Sequence, residues 1–141
     1  MAIISTNVGT IERGGWPAVG PKLGFVENTI DFSVAANNAA ALDVIEFLAV
    51  PAGTLVVFAG VDVLTAEGGT ATGDLGDGDD PNRFTAATDF NVVANSSAII
   101  ANTPYLYASA DDTIDLTLVD ALDAAKIRVW ALVADVADIT G

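Results

Sequence analysis

The residues with the most chemical potential lie between Thr70 and Asp89. There Asp74, Asp77, Asp79 and Asp80 crowd a glycine-rich stretch that ends on Arg83 and Phe84. Closely spaced oxygen ligands are what a calcium ion needs. The run D-x-x-D-x-D-D-P-N is not an EF-hand loop, however, because Thr88 stands where the closing bidentate Glu, counted from Asp77, would fall. A turn built from solvated aspartates is the competing reading. Arg83 also reads two ways: as an ion pair inside the domain that ties the loop down, or as a salt bridge to a neighbouring subunit.

Other catalytic chemistry lacks its parts. The chain has no His and no Cys, so a Ser-His-Asp triad, a thiolate nucleophile and an imidazole zinc site are all excluded. A carboxylate pair acting on glycosides stays formally open, but no Asp or Glu stands out from a field of turn aspartates. A glycine-rich loop followed by Lys-Ser or Lys-Thr is absent, which removes phosphate cradling. The expectation is a protein that is not an enzyme and needs no cofactor, calcium being the one left open.

Charge narrows the partners. Fifteen Asp and four Glu stand against two Lys and three Arg, for a formal net charge of −14. Such a surface repels phosphate backbones and anionic lipid headgroups, so neither nucleic acid nor membrane is an expected direct partner. No apolar run reaches the length of a membrane-spanning helix. The opening MAIISTNVGTIERGG lacks the basic and apolar regions of a signal peptide, so synthesis and folding in the cytoplasm are expected.

The elements that must position these residues read as strands. The excess of Asp over Glu favours turns over helices, and 52% hydrophobic residues over 141 positions suffice for one buried core. Asn28 to Val34, Leu55 to Thr65, Thr113 to Val119 and Lys126 to Ala134 alternate or run apolar as strands do. Leu42 to Val50 also fits helical spacing, but its direct run into Pro51 without a glycine cap favours a strand. Pro51-Ala52-Gly53-Thr54 has type II turn chemistry and is read as a tight hairpin between its flanking strands. Gly60 marks a bulge or a close backbone approach. Ile3 to Thr6, Thr70 to Leu75, Ala98 to Ala101 and Tyr105 to Tyr107 are further short strands, and Asp89 to Ala94 is strand or linker. The count and spacing predict an all-β, antiparallel two-sheet sandwich, jelly-roll-like or Greek-key.

Residues 1–27 differ from the rest. Their Gly and Pro content reads as an extended N-terminal arm, with residues 28–141 as the single sandwich domain. Trp16 either folds back on its own domain or anchors the arm on a neighbouring subunit, as aromatics in interfaces often do.

The stretch from Leu42 onward resembles small virion proteins of tailed bacteriophages, of the head decoration or cement type. The resemblance rests on the Pro51-Ala52-Gly53-Thr54 corner, Asp62-Val63, Thr70-Ala71-Thr72-Gly73-Asp74, Gly78-Asp79-Asp80-Pro81-Asn82-Arg83-Phe84 and Ala86-Ala87-Thr88-Asp89. Tyr105-Leu106-Tyr107, Asp111-Asp112-Thr113-Ile114 and Lys126-Ile127-Arg128-Val129 continue it, to about Val133; the arm is not covered. The resemblance implies a virion structural protein at the capsid surface that bridges capsomers, partners the major capsid protein, and forms a homo-oligomer, trimer favoured. It implies lattice contacts through Arg13, Trp16 and Lys22, with Arg83 as a further contact, while Lys126 and Arg128 support the fold. Two alternatives stand beside it. One is a tail, fibre or knob component; the other is a secreted carbohydrate-binding module with Trp16, Trp130, Tyr105 and Tyr107 as a platform.

Overall fold

The computed structural model describes residues 3–4, 9–10, 23–95 and 104–137. Its strands, in chain order, are β1 (Ile3–Ile4), β2 (Gly9–Thr10), β3 (Leu23–Asp31), β4 (Val44–Val50), β5 (Thr54–Thr65), β6 (Thr72–Gly76), β7 (Thr85–Asp89), β8 (Ala94–Asn95), β9 (Tyr105–Tyr107), β10 (Asp112–Leu118) and β11 (Lys126–Asp135). A 3-10 turn at Ala35–Asn37 is a brief exception to this all-β pattern. Among the described residues, no helix is long and apolar enough to cross a membrane.

Two sheets divide the strands. The first has the order β4-β10-β6-β7, with β1 and β2 added parallel to β4; the second has the order β3-β11-β5, with β8 and β9 both on β5. Apart from β1 and β2, all pairings are antiparallel. Consecutive strands mostly change sheet: β3 to β4, β4 to β5, β5 to β6, β7 to β8, β9 to β10 and β10 to β11 all cross over. Two four-position sheets wound in this alternating way make a jelly roll.

That winding corrects the hairpin reading of Pro51 to Thr54. β4 and β5 do not pair; they lie in different sheets, and the turn is a corner between them. Gly53 does hold φ at +83°, the left-handed value a type II turn requires. Type II turns splay the strands they join, whereas two-residue hairpins favour the primed types, so this turn chemistry suits a corner. Three segments pin it: the Gly53 N–H donates to the Tyr107 carbonyl (2.6 Å), the Val136 N–H to the Gly53 carbonyl (2.9 Å), and the Ala52 N–H to Asp111 Oδ1 (2.8 Å).

Alternation builds the core. Ile127, Val129, Ala131 and Val133 of β11 and Ile114, Leu116 and Leu118 of β10 are all essentially inaccessible, facing one another across the sandwich. Phe32, Phe47, Phe84 and Phe90 fill the larger gaps. The crossover from β5 to β6 carries a brace of its own: Glu67 accepts backbone N–H groups from Asp123, Ala124 and Ala125 at 2.7–3.0 Å. Burial pushes the Glu67 carboxyl up, but these three donors outweigh it and hold it below the usual range.

Strand bounds moved where turn chemistry intervened. β3 begins at Leu23 and stops at Asp31, because Asp31 Oδ1 accepts both the Ser33 N–H (3.0 Å) and the Ser33 hydroxyl (2.6 Å). Residues 23–27, grouped with the arm by their composition, thus pair with β11. Leu42 lies outside β4, exposed and at φ +70°. β7 had no apolar alternation to announce it and stands as a mostly exposed edge strand beside β6. The register of β5 shifts at Val57, between Val56 and Phe58, and again at Leu64, between Val63 and Thr65, rather than at Gly60. What approaches Gly60 is the Trp130 ring, which a Cβ there would meet at 2.5 Å.

Candidate functional site

Asp77 is the hub of the acidic loop. Although loop aspartates are expected in solvent, this one is only 3% exposed. Its Oδ1 accepts the backbone N–H groups of Asp79 (3.1 Å) and Asp80 (2.8 Å). Its Oδ2 accepts Nε of Arg83 and the hydroxyl of Tyr107, the latter at 2.7 Å. Burial pushes the carboxyl up, yet the bonds from Arg83, Tyr107 and the Asp80 N–H prevail and hold it below the usual carboxylate range. Tyr107 is shifted the other way: burial, then its bond to Asp77, raises the phenol far above its ordinary value.

Arg83 closes the loop over this hub. Its guanidinium pairs with Asp77 and lies 3.8 Å from the centroid of the Tyr105 ring, which in turn meets Tyr107 edge-on at 4.9 Å. The structure therefore brings Asp77 and Arg83 together within one domain. Asp74 faces elsewhere, accepting the Ala87 N–H (2.7 Å) across the β6–β7 pair, and Asp80 turns its Oδ1 toward the Asn82 N–H (3.4 Å). The four calcium candidates Asp74, Asp77, Asp79 and Asp80 do not converge; among the described residues no group of three or more acidic side chains could hold a metal ion. Arg13, Trp16 and Lys22 lie outside the described residues, as does the expected strand Ala98 to Ala101.

The loop roofs the outer face of the first sheet. A Cβ on Gly76 would sit 2.1 Å from the Asp80 carbonyl oxygen, so glycine lets the loop backbone lie on the strand. Beneath this roof is Asp115, opposite Glu46 of β4 and Gly76 of β6. The alternation of β10 puts Asp115 on the solvent side; the loop instead leaves it 4% exposed, with Oδ1 lacking any hydrogen-bond partner. It lines a cavity of about 330 Å³ with Val44, Glu46, Pro81, Asp112, Thr113 and others. Burial pushes its carboxyl up to about 7; a bond from Thr113 opposes this, and the charges of Asp112, Glu46 and Asp77 reinforce it. No sequence signal marked Asp115, because only the folded loop buries it.

The outer face of the second sheet is the opposite case. The register aligns Phe25, Leu132 and Phe58 in one cross-strand row, and Leu23, Ala134, Leu55 and Leu106 in the next. Leu23 is 61% exposed, Phe25 59% and Phe58 41%. Phe25 also stacks on Trp130, with ring centroids 5.7 Å apart. Beyond Trp130 the face turns charged: Asp62 Oδ2 accepts Nε (2.8 Å) and Nη2 (2.6 Å) of Arg128. This apolar end was missed in sequence because its members are scattered over four strands. Of the alternative sugar platform, Tyr105 and Tyr107 pair with Val56 and Thr54 on the inner side of this sheet and Trp130 lies on the outer side, so these three share no face; Trp16 lies outside the described residues.

Among the described residues, the fold and these surfaces define a jelly-roll domain with one braced acidic loop, one exposed apolar face and no catalytic constellation. No known protein family and no curated protein matches the chain by sequence. Solved structures do match its fold. A chain of the capsid of Ralstonia phage GP4 superposes with a TM-score of 0.67 at 17% identity, covering 94% of this chain and 97% of that one. A chain of the cyanophage Pam1 capsid asymmetric unit gives 0.63 at 15% identity, covering 87% and 93%. A chain of the acidic stable capsid structure of Helicobacter pylori bacteriophage KHP30 gives 0.60 at 18% identity, covering 82% and 90%.

Proposed function

We propose that this chain is a bacteriophage virion structural protein, of the decoration or cement type, that stabilises the head by bridging capsomers. The observation that carries the reading is end-to-end likeness: chains of three phage capsid structures share this fold over nearly their whole length. The surface chemistry supports it. A non-enzymatic shell component needs contact area, and contiguous exposed apolar area is a mark of protein–protein interfaces. With a net charge of −14, copies of this chain repel one another, so apolar surface is needed to offset that repulsion where they meet.

The apolar end of the second sheet supplies it. β3 is the edge of that sheet among the described residues, and Leu23 follows directly on the arm that carries Arg13, Trp16 and Lys22. In our reading the arm of one copy covers Phe25, Leu132 and Phe58 of the next, with Trp16 as anchor. A head-to-tail contact makes a ring where its rotation closes, and in this reading the ring is a trimer seated on the major capsid protein. Arg83 enters this reading as a brace of the acidic loop. Quantitative mass spectrometry of purified particles tests the assignment. A decoration protein is expected in many symmetry-related copies per particle; a handful of copies would move the chain to the tail, and absence from the particle would refute the reading.

A further inference from the structure

The geometry points to the cavity over Asp115 as a socket for an alkylammonium or guanidinium group, presented as a Lys or Arg side chain by the protein surface against which this chain packs. The identity of that surface rests on the virion reading above; the socket itself does not.

Three features make the socket. The first is an unmet acceptor. Asp115 Oδ1 is buried without a donor, a costly arrangement unless a guest completes it. The second is the sign of the field. The charges acting on Asp115 come from Asp112 at the start of its own strand, Glu46 on β4 and Asp77 in the loop, all acidic. Arg83, the basic group of the covering loop, is committed to Asp77 and the Tyr105 ring; Arg128, on β11, pairs with Asp62 in the other sheet. The third is shape. About 330 Å³ walled by Val44 and Pro81 and floored by carboxylates would take an apolar stem with a cationic head. A bare metal ion fits less well, because the carboxylates do not gather into a ligand set.

Thr113 and Thr117 line the same cavity and can share the guest's N–H donors. A cationic guest stabilises the ionised form of Asp115, so its entry below neutral pH expels a proton. Binding therefore tightens as pH rises toward and past 7, the value to which the buried carboxyl is raised.

The test is a carboxyl ¹³C NMR titration of Asp115 in the full chain, run at equal ionic strength in sodium chloride, n-butylammonium chloride and calcium chloride. The expected result is a midpoint lower by about half a pH unit or more in butylammonium than in sodium, with Asp120 unmoved. Equal midpoints in butylammonium and sodium would overturn the proposal, as would a drop in calcium alone or a matching drop at Asp120. Absence of the chain from particles would remove the partner named here but leave the titration result standing.

Discussion

The outer faces of the two sheets solve opposite problems. Over the first sheet the chain supplies its own cover, a loop from Asp77 to Phe84 held by one buried carboxylate that takes bonds from Arg83, Tyr107 and two backbone amides. Over the second sheet nothing among the described residues covers Phe25 or Phe58. Glycine sets part of the difference: Gly76 admits loop backbone, whereas Gly60 admits only the ring of Trp130. The covered face is polar and acidic down to Asp115, and the bare face is apolar except near Arg128. In the reading proposed above, the second face, where these aromatic rings stay exposed among the described residues, is the one that receives a partner.

The comparison can be broken most severely at its hub. Asp77→Ala removes the carboxylate that Arg83 and Tyr107 share, and losing one partner of a buried pair costs about 3–5 kcal/mol. Urea unfolding should show a loss of that size, with solvent exposure of Asp115 as the loop lifts. A smaller effect, opposite in sign, is expected beneath the roof. The folded protein holds the Asp115 proton up to about pH 7, while the unfolded chain sheds it near 3.8. Stability is thus present below the lower value, falls as pH rises through that window, and carries the full penalty above 7. Asp115→Asn should flatten this slope and raise stability at pH 8 by roughly 1–3 kcal/mol, with little change at pH 4.

Two further variants sharpen the contrast at lower cost. Leu42 is an exposed residue at φ +70°, so Leu42→Gly should stabilise by about 1 kcal/mol, read as a raised melting temperature. Phe25→Ser on the bare face should change monomer stability by no more than about 0.5–1 kcal/mol. It should nevertheless abolish self-association in sedimentation velocity, the reverse of the pattern expected for Asp77→Ala.

The all-β class was legible because β10 and β11 alternate cleanly in sequence, and their inward apolar residues are all buried. Turn chemistry at Gly53 was legible too, but a turn specifies a reversal and not the strand that receives it. Which sheet β5 joins is decided by β11, far along the chain, and local sequence has no access to that pairing. The same limit hid the site. Asp77 looked like one solvated aspartate among several, and Asp115 like a residue on a polar strand face. Their burial arises only when the loop, β9 and β10 meet. The apolar face was hidden for a simpler reason: Leu23 and Phe25 sit among glycines, and Leu132 within a strand apolar on both faces.

The central claim is that the apolar end of the second sheet is an assembly surface within a virion. Hydroxyl-radical footprinting of the free chain and of the chain in intact particles tests it directly. Labelling of Phe25, Phe58 and Leu132 should fall several-fold in the particle, while exposed Val92 and Val93 serve as references. Equal labelling of those three residues in both states would contradict the account.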